Sequence, residues 1–164
     1  MLLIFIKKET SRLSYTFKHI CQRILGLEIA FTTSLEEFIS FPGAKISYGT
    51  KPLGNELFFQ SAGLLEQQGI EDPEISVKEW EETVGFFAVS AQSTLPFDIF
   101  SSSFFLLSRY EEYLPQVKDE LGRFMASESL AYRFDFLHQP VVDIWAFKFK
   151  ERLLEAFPDL IFSE

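Results

Sequence analysis

The chain holds one cysteine and two histidines in 164 residues, and its longest basic run is Lys7-Lys8. Each shortage excludes something. A lone Cys21 forbids an internal disulfide, which makes a cytoplasmic home the default expectation. His19 and His138 have no second ligand nearby in sequence, so no metal site is expected within this chain. Fifteen basic residues against 24 acidic ones leave a net charge of -9. Nucleic-acid binding draws its affinity from Lys and Arg on phosphates, so that function class is set aside, and an anionic membrane surface would repel the chain. The apolar runs fall far short of the roughly 20 residues that span a bilayer. The opening MLLIFIKKE puts its apolar stretch before its basic pair, the reverse of a signal peptide. There is no nucleophile elbow, phosphate loop, internal repeat, low-complexity tract or linker, and residues 1–164 read as a single domain.

What the chain does have is apolar surface. Hydrophobic residues make up 47% of it, and 20 residues are Phe. Such a chain cannot stay disordered in water. The aromatic content also suggests burial against something outside the chain, a second copy included.

The pattern along the chain is that of an α/β protein. Leu2 to Ile6 reads as a buried strand. Thr10 or Ser11 can cap a helix whose Leu13, Phe17, Ile20, Cys21 and Ile24 share a face, and Gly26 ends it. Leu27 to Thr32 alternates as a strand does. This opening is a strand-helix-strand unit of about 30 residues, the kind that forms a right-handed crossover between parallel strands. Ser34 with Glu37 suggests a capping box for a short helix through Ile39. Strands are expected at 45–48, 57–59 and 84–90, with a short helix at 62–68. Residues 71–82 read as an acidic loop, with an extended piece at 75–77. Asp98 stands where an N-cap belongs, before a helix over 99–114 closed by Pro115. Residues 116–133 form the longest loop, and Pro140 opens the last helix, which carries Val142, Trp145, Phe149, Leu153 and Phe157 at helical spacing. The expected architecture is three-layered, a mostly parallel sheet of about five strands with helices on both faces.

Few residues suggest chemistry, and each has a plainer reading. Glu111 and Glu112 could share acid-base work, but neighbours on a helix point about 100° apart. A solvated helix end with Arg109 paired to Glu112 explains them as well. Asp98 is read as a cap, favoured at the positive end of its helix. Asp143, between Val142 and Ile144, is expected to be partly buried and paired with Arg123 or Arg109. Arg123 follows Gly122, and its guanidinium suits a carboxylate or a phosphate; alternatively it pins the long loop together with Asp119. Ser101 to Ser103 look like a small-residue patch on which another surface packs, since no base accompanies them. Trp80, Trp145 and the tyrosines could stack on a sugar, although most belong to a core. Cys21 reads as an inert core thiol.

The strings LPFDIFSSSFFLLSRYEEYLP, DELGRF, SLAYRF and QPVVDIWAF, in that order between residues 95 and 147, resemble the N-terminal domain of Bacteroidetes-type polysaccharide-deacetylase-like proteins. The opening MLLIFIKKETSRLSYTFKHICQRILGLEIAFTT looks like the start of those proteins. The resemblance implies that this chain is the N-terminal fragment of a longer protein. In that family a carbohydrate-esterase domain follows and removes acetyl groups with a divalent metal held by an Asp-Asp pair and a His-x-x-x-His motif. Neither motif is present here, so the resemblance carries over no catalytic residue, metal ligand or cofactor.

Three readings of function follow. The first is a non-catalytic accessory domain that docks the deacetylase-like domain or helps to position a glycan, with a cleft of Arg109, Tyr110, Glu112, Asp119, Arg123 and Asp143 as the binding site. The second is a stand-alone enzyme using Glu111, Glu112 or Asp143 on a small sugar, and the third is a homo-oligomerisation module.

Overall fold

A computed structural model describes residues 1–66, 78–81, 83–107 and 141–162 of the chain. Strand β1 spans Leu2–Phe5, and Thr10 then caps helix α1, Ser11–Phe17, by accepting from the Leu13 amide at 3.1 Å. The helix runs on as a π-helix over Lys18–Ile24 and stops at Gly26, whose φ of 65° suits glycine. Strand β2 is Ile29–Thr32. Ser34 accepts from the Glu37 amide and starts α2, Leu35–Ser40. Phe41 is extended, as the residue before a proline prefers to be, and α2 ends there. Strands β3, Lys45–Gly49, and β4, Leu57–Gln60, complete the sheet.

All four strands are parallel, in the order β2-β1-β3-β4. Leu2 lies beside Ile29, Phe5 beside Ser47, and Tyr48 beside Phe59. Because side chains alternate, Leu2, Ile4, Ile6, Ile46, Tyr48 and Phe59 share one face, while Leu3, Phe5, Ser47 and Phe58 share the other. Phe17 of α1 packs edge-on to Tyr48 on the first face, with centroids 5.1 Å apart. Phe38 of α2 meets Phe5 on the second, at 5.7 Å. The chain moves one way from β1 to β2 and the opposite way from β2 to β3, so right-handed crossovers place α1 and α2 on opposite faces. This is the expected three-layer α/β fold.

The two outer layers are unequal. Helices α3, Ile99–Leu107, and α4, Val141–Ala156, join α1 on the first face. The Phe100 ring stacks on Phe17 at 4.0 Å and meets Tyr48, Phe59 and Phe149 edge-on. Trp145, fully buried, meets Phe86. The second face carries only α2 and the connection from Thr50 to Glu56 among the described residues.

The region after β4 departs from the sequence reading. Lys78–Trp80 and Thr83–Gly85 form a separate antiparallel pair, β5 and β6, where the sequence suggests an acidic loop and one long strand. The strand ends at Gly85, against which the Phe97 ring packs. An ideal Cβ at Gly85 would fall 2.6 Å from that ring. Phe87 then turns the chain with a φ of 58°. Residues 90–94 close over the free edge of β4, Thr94 donating to the Phe58 carbonyl at 2.8 Å and Gln60 donating to Ser93 Oγ at 3.0 Å. Of the expected 62–68 helix, a 3-10 turn over Leu64–Glu66 is seen. Its last two residues, the extended piece at 75–77, the end of the 99–114 helix and the 116–133 loop lie outside the described residues. No helix among the described residues is long and apolar enough to cross a membrane.

Phe100 sits where both halves of the core meet, so Phe100→Ala should cost about 3–5 kcal/mol. Ile39→Ala, at a side chain 66% exposed, should stay within about 0.5 kcal/mol of the parent. Urea denaturation of the two variants and the parent checks both expectations.

Candidate functional site

Ligands of open parallel sheets gather beyond the carboxyl ends of the strands. At that end of β3 and β4 the structure buries a carboxylate. Asp98, 2% exposed, stands at the N-terminus of α3. Its Oδ1 accepts from the amides of Phe100 and Ser101, both at 3.1 Å, as an N-cap does. Its Oδ2 accepts from the Tyr48 hydroxyl at 2.7 Å, the Ser101 hydroxyl at 2.6 Å and the Ala62 amide at 2.7 Å. Its own amide donates to the Phe87 carbonyl at 2.9 Å. One side chain therefore ties α3 to β3 and to the segment leaving β4.

That segment is held at several points. Ser61 donates its amide to the Gly49 carbonyl, Gly63 to Ser61 Oγ, Thr10 Oγ1 to the Leu65 carbonyl and Arg12 to the Leu64 carbonyl. Residues 61–66 thus cross from the sheet to the start of α1. Phe87, whose positive φ is costly for an aromatic residue, presents the carbonyl that Asp98 needs, and Phe86 next to it accepts from Ser102 Oγ at 2.9 Å.

The electrostatics are those of a tie. Burial pushes the Asp98 carboxyl above its ordinary value, and the hydrogen bonds from Ser101, Ala62 and Tyr48 pull the other way without cancelling it. Burial, with the Asp98 charge behind it, raises the Tyr48 phenol well above 10.0, so Tyr48 remains a donor. With both carboxylate oxygens engaged and almost no exposed surface, Asp98 offers no approach to a substrate. Burial likewise raises the Cys21 thiol, which fits an inert core residue.

Of the residues singled out from sequence, Arg109, Tyr110, Glu112, Asp119 and Arg123 lie outside the described residues, as do Glu111 and His138. Asp143 is described, in the first turn of α4, and it is exposed. The expectation of partial burial is corrected: α4 turns Val141, Trp145 and Phe149 inward, and position 143 falls on the opposite side. The docking role expected for Ser101 to Ser103 is corrected too. All three are buried, with Ser101 bonded to Asp98 and Ser102 to Phe86. Trp80 is 8% exposed, packed on Phe97 and covered by the Lys148 ammonium, which also pairs with Glu81. It has no face for a sugar. Tyr48 and Ala62 went unnoticed in the sequence, since neither stands near Asp98 along the chain.

A second feature lies on the thin side of the sheet. Leu35 and Ile39 of α2 and Leu53 of the next connection are 47%, 66% and 42% exposed. With Phe38 they line a hollow of about 400 Å³ that also touches Lys45, Gly54, Asn55 and Glu56. Lys45 reaches back to the Phe38 carbonyl at 2.8 Å and the Ile39 carbonyl at 3.1 Å, closing the end of α2. Glu56 accepts from Ser47 Oγ at 2.6 Å and from the Leu53 and Gly54 amides, both at 2.7 Å. Partial burial alone would raise the Glu56 carboxyl, but these bonds outweigh it and hold it below 4.5. The hollow is therefore apolar, preformed and edged by one ionised carboxylate. Among the described residues no three His, Cys, Asp or Glu side chains come together as a metal site requires.

The sign of the Asp98 contribution follows from its raised pKa. Below the ordinary value of 3.8 both folded and unfolded states hold the proton, and the penalty of burying a charge is absent. As pH rises from there through the folded pKa, that stability is lost. The stability difference between the parent and Asp98→Asn should shift against the parent over that window and then flatten. Asp98→Ala, which strips the acceptor from the buried Tyr48, Ser101 and Ala62 donors, should cost about 1–3 kcal/mol for each donor left unpaired, partly offset by removal of the buried charge. Urea denaturation across a pH series reads both.

Neither a curated protein nor a solved structure matches the chain. A protein-family model, described as a family of unknown function, matches residues 2–158, which takes in every strand and helix above. The chain thus belongs to the DUF7033 family.

Proposed function

We propose that this chain is a non-catalytic docking domain of a polysaccharide-deacetylase-like protein, and that the hollow beside α2 receives the deacetylase-like domain. The hollow carries the reading. Exposed Leu35, Ile39 and Leu53 surround one concave apolar surface, and contiguous apolar surface of this kind marks interaction sites. Glu36 and Glu37 are exposed on the same helix, so the surface suits an apolar knob flanked by Lys or Arg. The identity of the partner is supported by the resemblance of the 95–147 strings and of the opening segment. Acetyl release and its divalent metal would belong to the partner domain, with this chain helping to hold a glycan in reach. The buried state of Asp98 agrees with a scaffold, because its carboxylate is spent on structure.

The test begins with the coding region beyond codon 164. An Asp-Asp pair followed by His-x-x-x-His is expected there. The longer product should then protect amides around residues 35–39 and 53–56 from hydrogen exchange relative to residues 1–164 alone. Ile39→Glu should remove that protection while leaving the thermal midpoint of the isolated chain within a few degrees, as expected of an exposed position. A stop codon after residue 164, or protection that ignores Ile39→Glu, would end this reading.

A further inference from the structure

We propose that two copies of this chain pair through the outer edge of β2, antiparallel about a twofold axis at Ala30, which doubles the four-stranded sheet. The two edges of that sheet are finished differently. At β4, residues 90–94 close over the edge, through the Thr94 bond to Phe58 and the Gln60 bond to Ser93. At β2 the edge is open. Glu28 and Thr32 turn their carbonyls toward β1, accepting from Leu2 at 2.9 Å and from Ile6 at 3.0 Å. Alternation then directs the N–H and C=O of Ile29 and Phe31 away from the sheet. No described residue bonds to those outward groups.

Strand β2 also lacks the devices by which edges resist pairing. It runs in unbroken register with β1, and residues 29–35, IAFTTSL, hold no charge and no proline. Ile29, Ala30 and Phe31 are each partly exposed.

A second copy of the same strand fits this edge. With Ala30 on the axis, Ile29 faces Phe31 of the second copy, and Phe31 faces its Ile29. Each outward N–H then meets an outward C=O, and no group already engaged is called on. A slide toward Leu27 would need an amide that is given to the Cys21 carbonyl at 2.7 Å. Ile29 beside Phe31 is a β-branched and aromatic pair, of the kind that stabilises neighbouring strands. Charge selects the orientation. Copies of net charge -9 repel, so their contact has to keep carboxylates apart. Antiparallel pairing sets Glu28 against Thr32 of the second copy, whereas parallel pairing in register would set Glu28 against Glu28. Because the β4 edge is closed in both copies, addition of strands stops at two chains.

This surface is the sheet edge and not the hollow beside α2, and its test needs no deacetylase-like domain, so either reading can fail without the other. Sedimentation equilibrium from micromolar to millimolar chain should show the mass rising from 19.0 kDa toward twice that value. Hydrogen exchange at the Ile29 and Phe31 amides should slow over the same range. Ile29→Lys, which places a guarding charge on the edge, should raise the dissociation constant by about tenfold or more. Ile39→Glu, in the α2 hollow, should leave it unchanged. Ala30→Cys reads the register directly. Residues opposed in this way stand about 4.5 Å apart at Cα, within the reach of a disulfide, so mild oxidation should link the two copies. Cys21 is buried and adds no competing link. Thr33→Cys, which faces Leu27 of the second copy and lies far from its own counterpart, should not link. A constant single-chain mass with no Ala30→Cys link would overturn the proposal, as would a dimer that ignores Ile29→Lys. Slowed exchange at Ile29 and Phe31 only in a product extending beyond residue 164 would assign the edge to a different strand and overturn it too.

Discussion

Much of this fold converges on a single carboxylate. Asp98 starts one helix, bonds the phenol of a central strand and anchors the segment that leaves the sheet edge, while its own amide holds a strained carbonyl in place. Removing a carboxylate from water costs several kcal/mol, and hydrogen bonds to charged groups return roughly 1.5–3 kcal/mol each, so only a nearly saturated site makes such burial tolerable. That arithmetic explains why five donors gather there. It also explains the company it keeps: Tyr48 and Ser101 are hydroxyls, which donate to the carboxylate and can also accept a hydrogen bond from the carboxylic acid, so the network tolerates either charge state of Asp98.

The second organising fact is asymmetry. Among the described residues, three helices and a dense set of aromatic rings cover one face of the sheet, and a six-residue helix with one connection covers the other. The thick side has used its apolar groups on itself, and the serine stripe of α3 lies inside it. The thin side keeps Leu35, Ile39 and Leu53 in contact with water. The sheet thus separates a densely packed side from one that keeps apolar groups exposed.

How much of this could be read from the sequence depends on range. The strand-helix-strand opening is legible because its period changes from 2 to 3.6 and back within one unit, with Thr10 and Gly26 marking the ends. Asp98 is legible as a cap, since its partners Phe100 and Ser101 are two and three residues on. Its bonds to Tyr48 and Ala62 span 50 and 36 residues and leave no local pattern. The β5–β6 hairpin hides in an acidic stretch because what holds it, Trp80 on Phe97 and under Lys148, lies elsewhere in the chain. Ser101 to Ser103 mislead for a related reason. Small residues permit close approach, but the sequence does not say whether the approaching surface is another protein or the carbonyl of Phe86. Five of the six residues chosen for a binding cleft fall outside the described residues, and the sixth, Asp143, faces water.

The ring contacts of Phe149 bear on how the chain is made as well as on how it is held. Phe149 touches Phe59 and Phe100, so a residue of α4 completes ring packing begun by residues far earlier in the chain. During translation Phe100 precedes Phe149 by about 50 residues, or about 2–10 s at ordinary elongation rates. For that interval Phe59 and Phe100 lack the ring that packs against both of them. The contact among Phe59, Phe100 and Phe149 forms only once residue 149 has been made, so this part of the core closes late in synthesis.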